Sequence, residues 1–420
     1  MANIGTLYLY ELKKILNRRI VWVIGLVILS LCVFLSPSDL ITTSVSDGDT
    51  EISGFEAMKI NRDYARNLSG RTLDDRLLGE MQENCFEQNT EETAAEAAAE
   101  TTRRTSTGGQ VSVTAGNAEG HEDGGIPQYA PIYSYVQEIT EDRDLTQSID
   151  AGGLYAIREK AVYGNRSDQM LSDAEYGYWK NKDSGIETPF VYRYADGWGD
   201  LWEYAYTLNY LLFLLLAVCL SGVFFEEYSR KTDAIILCSK NGKKQLYFAK
   251  ILAGATFSMA SAILIFGTAL LTSLLTYGAD GFGAALQIAF PLSSWNVSVG
   301  ESILVLFLTF IIISLLYGSM VMFLSETVKN SVAVMAIPVG IMFLTMMVDI
   351  PYQFRLASQV YDLLPTNLLV KWALWDDRLF SVLGQYFTNY QIAPMVYFIA
   401  AFLLVIIGKT FYQRHQVQAR

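Results

Sequence analysis

Histidine is nearly missing from this chain. His121 and His415 are the only two in 420 residues, which sets aside a histidine-rich metal site. The four cysteines, Cys32, Cys85, Cys219 and Cys238, stand singly. Cys85 is alone in an acidic stretch, so that stretch has no internal disulfide to hold it together. Charged residues are scarce at 18%, against 51% apolar, too few to clothe an ordinary soluble protein of this length. No His-Glu-x-x-His and no Gly-x-Ser-x-Gly occurs. Gly408-Lys409-Thr410 imitates the end of a phosphate-binding loop, but the required first glycine is Leu403 and the tripeptide closes an apolar run. The chain is therefore expected to carry no catalytic set, no cofactor and no metal.

What charge there is divides into two regimes. From Ser36 to Tyr204 there are 32 acidic and 14 basic residues, a net of −18, whereas the remainder is net +6. The first is the composition of a water-soluble acidic domain. Its charge argues against a nucleic-acid partner, because phosphate binding needs clustered Lys and Arg.

The second regime is built from long apolar runs. Spanning a bilayer core of about 30 Å takes roughly 20 apolar residues in a helix. Six segments approach or meet that length: Ile20 to Leu35, Leu208 to Phe225, Ile251 to Tyr277, Ile303 to Leu324, Val332 to Val348 and Pro394 to Gly408. None contains Asp, Glu, Lys or Arg, which argues against an ion-coupled carrier with ionisable groups in the membrane. The short first and last runs are flanked by Arg18, Arg19 and Lys409, whose stems reach the interface. The first run also has the basic start of a signal peptide, but Ser36-Pro37-Ser38-Asp39 offers no clear small-x-small cleavage site. Lys13, Lys14, Arg18 and Arg19 precede the first run. Arg230, Lys231, Lys240, Lys243, Lys244 and Lys250 lie between the second and third, Lys329 between the fourth and fifth, and Lys409, Arg414 and Arg420 at the end. All fall on one side if both termini are cytoplasmic. The expected fold class is an all-α, multi-pass cell-membrane protein. It has six transmembrane helices and a large, mainly helical extracytoplasmic domain between the first two.

Residues 1–35 read as an amphipathic helix leading into the first span, with Tyr8, Leu12, Ile15 and Leu16 on one face and Lys13, Lys14 and Asn17 opposite. Such a helix lies in the lipid interface or simply continues the span. Residues 36–205 form the acidic domain. Phe55 to Cys85 has helical spacing, 89–125 is low in complexity and reads as disordered, and Ile132 to Tyr204 is unusually aromatic. Those aromatics make either the domain's core or a ligand-contacting surface. Residues 206–420 hold five further spans. In the third, Gly254, Ser258 and Ala262 recur at four-residue spacing, a packing stripe that lets another helix approach. In the fifth, Pro338 and Gly340 are expected to kink or loosen the helix.

Between the second and third spans, residues 226–250 begin with Glu226 and Glu227. A short apolar stretch follows, then Ser239-Lys240-Asn241-Gly242-Lys243-Lys244, and Lys250 opens the next span. Asn-Gly favours a turn, so the segment reads as a helical hairpin, or as a plain basic loop. The pattern resembles the permease subunits of type-two ATP-binding-cassette exporters, particularly those of Gram-positive bacteria. Glu227, Ile236, Leu237, Ser239, Lys240, Gly242, Lys243 and Lys250 match that family's coupling helix, with Glu226 beside them. Tyr361-Asp362-Leu363-Leu364-Pro365-Thr366-Asn367 resembles its external re-entrant helices. So does Glu187-Thr188-Pro189-Phe190 with Asp196-Gly197-Trp198. The resemblance implies a cytosolic ATPase subunit as partner, ATP bound there and not on this chain. It also implies a second copy or related permease as dimer partner, and membrane lipid around the whole. The charge-free spans suit an amphipathic peptide, drug or lipid as substrate. The alternative from another class is a membrane-anchored sensor or scaffold whose external domain binds a ligand without transport.

Overall fold

The computed structural model describes residues 4–41, 43–47, 50–84, 127–141, 146–229, 244–328, 330–348 and 350–414. These residues are mostly helical (76%). The low-complexity stretch 89–125 lies outside the described residues. α1 (Ile4–Leu16) and α2 (Arg19–Leu35) meet at a 66° bend, so α1 is not a straight continuation of the first apolar run. Ile15 is buried, Tyr8 and Leu12 pack on the core, and the Tyr8 hydroxyl donates to Thr256 Oγ1 at 3.2 Å, laying the apolar face of α1 on the bundle.

A small domain follows. It contains a hairpin of β1 (Ser44–Asp47) and β2 (Thr50–Ser53), then α3 (Phe55–Leu68), α4 (75–84), α5 (Ala130–Thr140), α6 (Ala151–Asp168) and α7 (Asp173–Asp183). The starts of α6 and α7 are fixed by Asp150, whose side chain accepts from Gly153 N, and by a Ser172–Glu175 capping box. Leu73, Leu77, Leu78, Met81, Ile132, Val136 and Leu154 are buried together as its core. Many of the aromatics belong to buried surfaces as well, among them Tyr135, Trp179, Phe190 and Tyr192, whereas Tyr163 is exposed.

The remaining long helices are α8 (Asp196–Leu220), continued after a break by α9 (Gly222–Ser229), α10 (Gln245–Tyr277), α11 (Val299–Thr327), α12 (Ser331–Met347) and α14 (Asn389–Arg414). The short α13 (Arg355–Asp362) precedes the last of them. Among the described residues four helices are long and apolar enough to cross a membrane: Asp196–Glu227, Gln245–Tyr277, Val299–Thr327 and Asn389–Gln413. The bent α1–α2 pair makes a fifth, and α12 is apolar but stops at 17 residues, continuous across Pro338. Leu208, Leu212, Leu216 and Leu220, spaced by one helical turn, bury one side of α8 at the centre of the bundle. Outward-facing Trp22, Leu26, Leu264, Leu275, Leu344, Phe398 and Phe402 are exposed as an apolar belt, which lipid tails accommodate and water does not.

The helices alternate in direction. Tyr194 donates to the carbonyl of Tyr277, and Trp202 Nε1 to Ser302 Oγ, placing the start of α8, the end of α10 and the start of α11 beside the small domain. At the opposite end Ser325 Oγ donates to the Ser221 carbonyl at 2.5 Å, and Tyr247 to that of Val405 at 2.7 Å.

Two details depart from an all-α chain divided at the expected boundaries. α8 begins at Asp196, ahead of the apolar run that starts at Leu208, because the aromatic stretch before the run is helical too. Among the described residues two antiparallel hairpins are present, β1–β2 and β3 (Phe380–Val382) with β4 (Gln385–Phe387). In the second, Leu383 and Gly384 take positive φ of 52° and 78° between β-forming Val, Tyr and Phe.

Candidate functional site

At the end of the bundle remote from the small domain, three of the residues expected to couple the chain to an ATPase come together. Lys250, 0% exposed, places Nζ 2.7 Å from Glu227 Oε1 and donates to the Val223 carbonyl at 2.7 Å. Glu11 of α1 stands 3.6 Å from the same ammonium, and Phe224 presents its ring at 5.0 Å. Lys14 adds a second cation at 3.2 Å from Glu227, and Arg18 reaches Glu226 at 2.7 Å. The Arg18 guanidinium also donates to the carbonyls of Cys219 and Gly222, backbone acceptors freed where α8 breaks into α9. A Cβ on Gly222 would meet Arg18 Nη1 at 2.7 Å, so the guanidinium would have to shift to make room for one.

The sequence singled out Glu226, Glu227 and Lys250 but missed Glu11. Its signal was present: Glu11 is the only acid among residues 1–35, placed one turn before Lys14. A burial this complete requires charge pairing, because an isolated ion inside a protein is strongly disfavoured. The knot therefore ties α1, the end of the second apolar helix and the start of the third. Ile236, Leu237, Ser239, Lys240, Gly242 and Lys243 lie outside the described residues.

The small-residue stripe lies against α11. Ser258 and Ala262 are buried, and a Cβ at Gly254 would lie 2.1 Å from Met322 Sδ. From the facing helix, a Cβ on Gly318 would lie 2.2 Å from Ser258 Oγ and 3.1 Å from its Cβ. Gly318→Ala is accordingly expected to cost about 1–3 kcal/mol by overpacking. Thermal unfolding of the solubilised protein checks this, and Ser258→Ala in the same chain should recover much of the loss.

A second polar cluster, at the domain end, was not legible beforehand. Arg166 of α6, 1% exposed, reaches Asp377 Oδ2 at 2.6 Å, Asp183 at 2.7 Å and Ser294 Oγ at 2.7 Å. Trp179 Nε1 donates to the Asp377 carbonyl, and Gln169 accepts from Asp377 N at 2.8 Å. Nearby, Arg378 binds Asp376, Asp362 and Ser358, and Glu175 accepts from Arg355 and from Leu379 N. Residues 355–379, including the Tyr361–Asn367 phrase, therefore form a short helix and turns fastened to the small domain.

Burial pushes the Asp377 carboxyl up to about 7, with Arg166 opposing the rise. A folded-state value above the ordinary 3.9 or so means that folding takes up a proton. That stabilisation is complete below pH ~4 and is lost as pH rises through about 7. The unfolding temperature should therefore fall between pH 6 and pH 8, and Asp377→Asn should flatten the fall.

Among the described residues, no group of three His, Cys, Asp or Glu side chains is arranged to hold a metal ion. No family model matches the chain, and no curated protein or solved structure matches it significantly.

Proposed function

We propose that this chain is the permease subunit of an ATP-driven exporter of the type-two ATP-binding-cassette kind. In this reading a separate cytosolic ATPase docks on the connection between the second and third spans. The observation that carries the proposal is the buried Lys250–Glu227–Glu11 knot. It lies where that connection leaves and rejoins the bundle, so a displacement there is passed to α1 and α10 together. The positive-inside bias gives the orientation, with the knot and both termini cytoplasmic and the acidic domain outside. Six spans follow if α12 crosses the membrane with the others. The ATPase supplies the energy. The small-residue contact between α10 and α11 transmits movement, and a path opens between two permease halves for an amphipathic peptide, drug or lipid.

A tagged copy recovered from its native membrane tests the proposal. A cytosolic protein with nucleotide-binding motifs is expected to co-purify, and to be lost when Lys240 and Lys243 are both changed to Glu, which leaves the buried knot alone. Charge reversal at Glu227 should also abolish transport. Clean recovery without an ATPase, under conditions that preserve known complexes, favours a ligand sensor instead. The buried ion pairs joining the small domain to residues 355–379 would serve that reading, since they link the domain rigidly to the bundle.

A further inference from the structure

A cleft of about 540 Å3 runs between α2 and α10. Val21, Gly25 and Val33 border it from α2, Ser261 and Ile265 from α10, and Leu215 from α8. Trp22, Leu26 and Leu264 also border it and are exposed, so it opens sideways into the apolar belt. The contrast with the contact between α10 and α11 is plain. A Cβ on Gly254 would lie 2.1 Å from Met322 Sδ, whereas a Cβ on Gly25 would meet nothing within 4 Å.

Two dimensions decide what fits. Val21 and Val33 are separated by about 18 Å along α2, close to the ~15 Å depth of one leaflet of the hydrocarbon core. Spread over that length, the volume gives a mean cross-section of about 30 Å2. An α-helix is about 10 Å across and needs roughly 80 Å2, so neither a helix of this chain nor one of a second copy fits. Water does not settle in so apolar a space. A narrow, flexible hydrocarbon chain does fit.

The end nearest the α1–α2 bend has the character of a lipid–water boundary. Trp22 Nε1 donates to the Leu16 carbonyl at 2.7 Å, which holds the indole with its polar edge toward the bend and its ring on the cleft. Indoles take that arrangement at the headgroup level. Arg19, the first residue of α2, is exposed at the same end.

We infer that this cleft holds one acyl chain of an anionic phospholipid from the leaflet on the α1 side, its phosphate beside Arg19 and Trp22 and its tail along Gly25. A chain seated there restores the dispersion contacts that the gap between α2 and α10 forgoes, and the cation at the mouth favours a negative headgroup. The inference rests on the membrane-protein reading alone. It needs no ATPase and stands apart from the transport reading.

The test is native mass spectrometry of the delipidated full-length protein in detergent, titrated with palmitoyl-oleoyl phosphatidylglycerol. Dihexanoyl phosphatidylglycerol offers the same headgroup on short tails, and palmitoyl-oleoyl phosphatidylcholine the same tails without net charge. One equivalent of the long-chain anionic lipid is expected to bind about tenfold more tightly than the short-chain one. It should bind about fivefold more tightly than phosphatidylcholine, the effect of one cation near an anionic headgroup. Gly25→Leu fills the cleft and should remove this equivalent. Leucine is the better helix former and a Cβ at that position meets no neighbour, so the lipid-free variant should unfold at the same temperature or higher. Arg19→Gln should abolish the headgroup preference and keep the preference for long tails. The inference is overturned if lipid adds only as a series of equal, weak equivalents, or if Gly25→Leu binds like the wild type. It is equally overturned if either comparison lipid binds as tightly, or if Gly25→Leu instead changes the number of protein copies in the particle.

Discussion

Lys250→Met is expected to destabilise the folded chain by about 3–5 kcal/mol, the loss that follows when one partner of a buried ion pair is removed. The side chain is 0% exposed, and its ammonium faces Glu227 at 2.7 Å and Glu11 at 3.6 Å. Met fills a similar volume, so the loss is one of charge and not of packing. Lys14 remains at 3.2 Å from Glu227 and offsets part of it. The expected observation is a lower unfolding temperature and poorer recovery of monodisperse protein. The pairing account makes a sharper demand of the triple variant Lys250→Met, Glu227→Gln, Glu11→Gln, which should recover stability relative to the single one. If the single variant unfolds like the wild type, Lys250 is not held as described.

Arg166→Ala should produce an effect of the same size, about 3–5 kcal/mol, for the same physical reason. Here the consequence is local to the domain end. Without the guanidinium, Asp377 and Asp183 lose the cation 2.6 Å and 2.7 Å away, and Ser294 loses its donor. The small domain then holds to residues 355–379 through Arg355–Glu175, the Trp375 carbonyl, which accepts from both Asn165 and Gln169, and the Trp179, Gln169 and Glu175 bonds to the backbone of 377–379. Hydrogen exchange should rise in α6, α7 and 375–379 while the apolar helices remain protected. Because burial already pushes the Asp377 carboxyl up to about 7, the deficit should be larger at pH 8 than at pH 6. An equal deficit at both values would remove Asp377 from the explanation.

How much of this was legible in the sequence depends on how far apart the interacting residues lie. Each apolar run announces itself within its own twenty residues, and each of the six forms helix in the structure. The Gly254–Ser258–Ala262 stripe is likewise local, and its partner surface around Gly318 and Met322 is the kind such a stripe implies. Arg166 and Asp377, by contrast, are 211 positions apart, and nothing in either neighbourhood names the other. The hint was Asp376-Asp377-Arg378, three charges in succession inside a loop otherwise rich in Trp and Leu. Charges in such company are either at the surface or paired. The bend after α1 is intermediate: Asn17-Arg18 contains no Pro or Gly to mark a break. The turn comes instead from Arg18 being drawn to the carbonyls of Cys219 and Gly222.

The Glu227–Lys250 contact has a mechanical consequence. These residues stand at the two ends of the stretch joining the second and third long helices, and 2.7 Å separates their charged atoms. The chain is thus cinched where it leaves the one helix and where it enters the other. A pull on a segment with free ends is absorbed as slack when the ends spread. With the ends cinched, the same pull must either swing both helices as one lever, carrying α1 through Glu11 and Lys14, or unfasten the charges. The knot sets the load at which the first response gives way to the second.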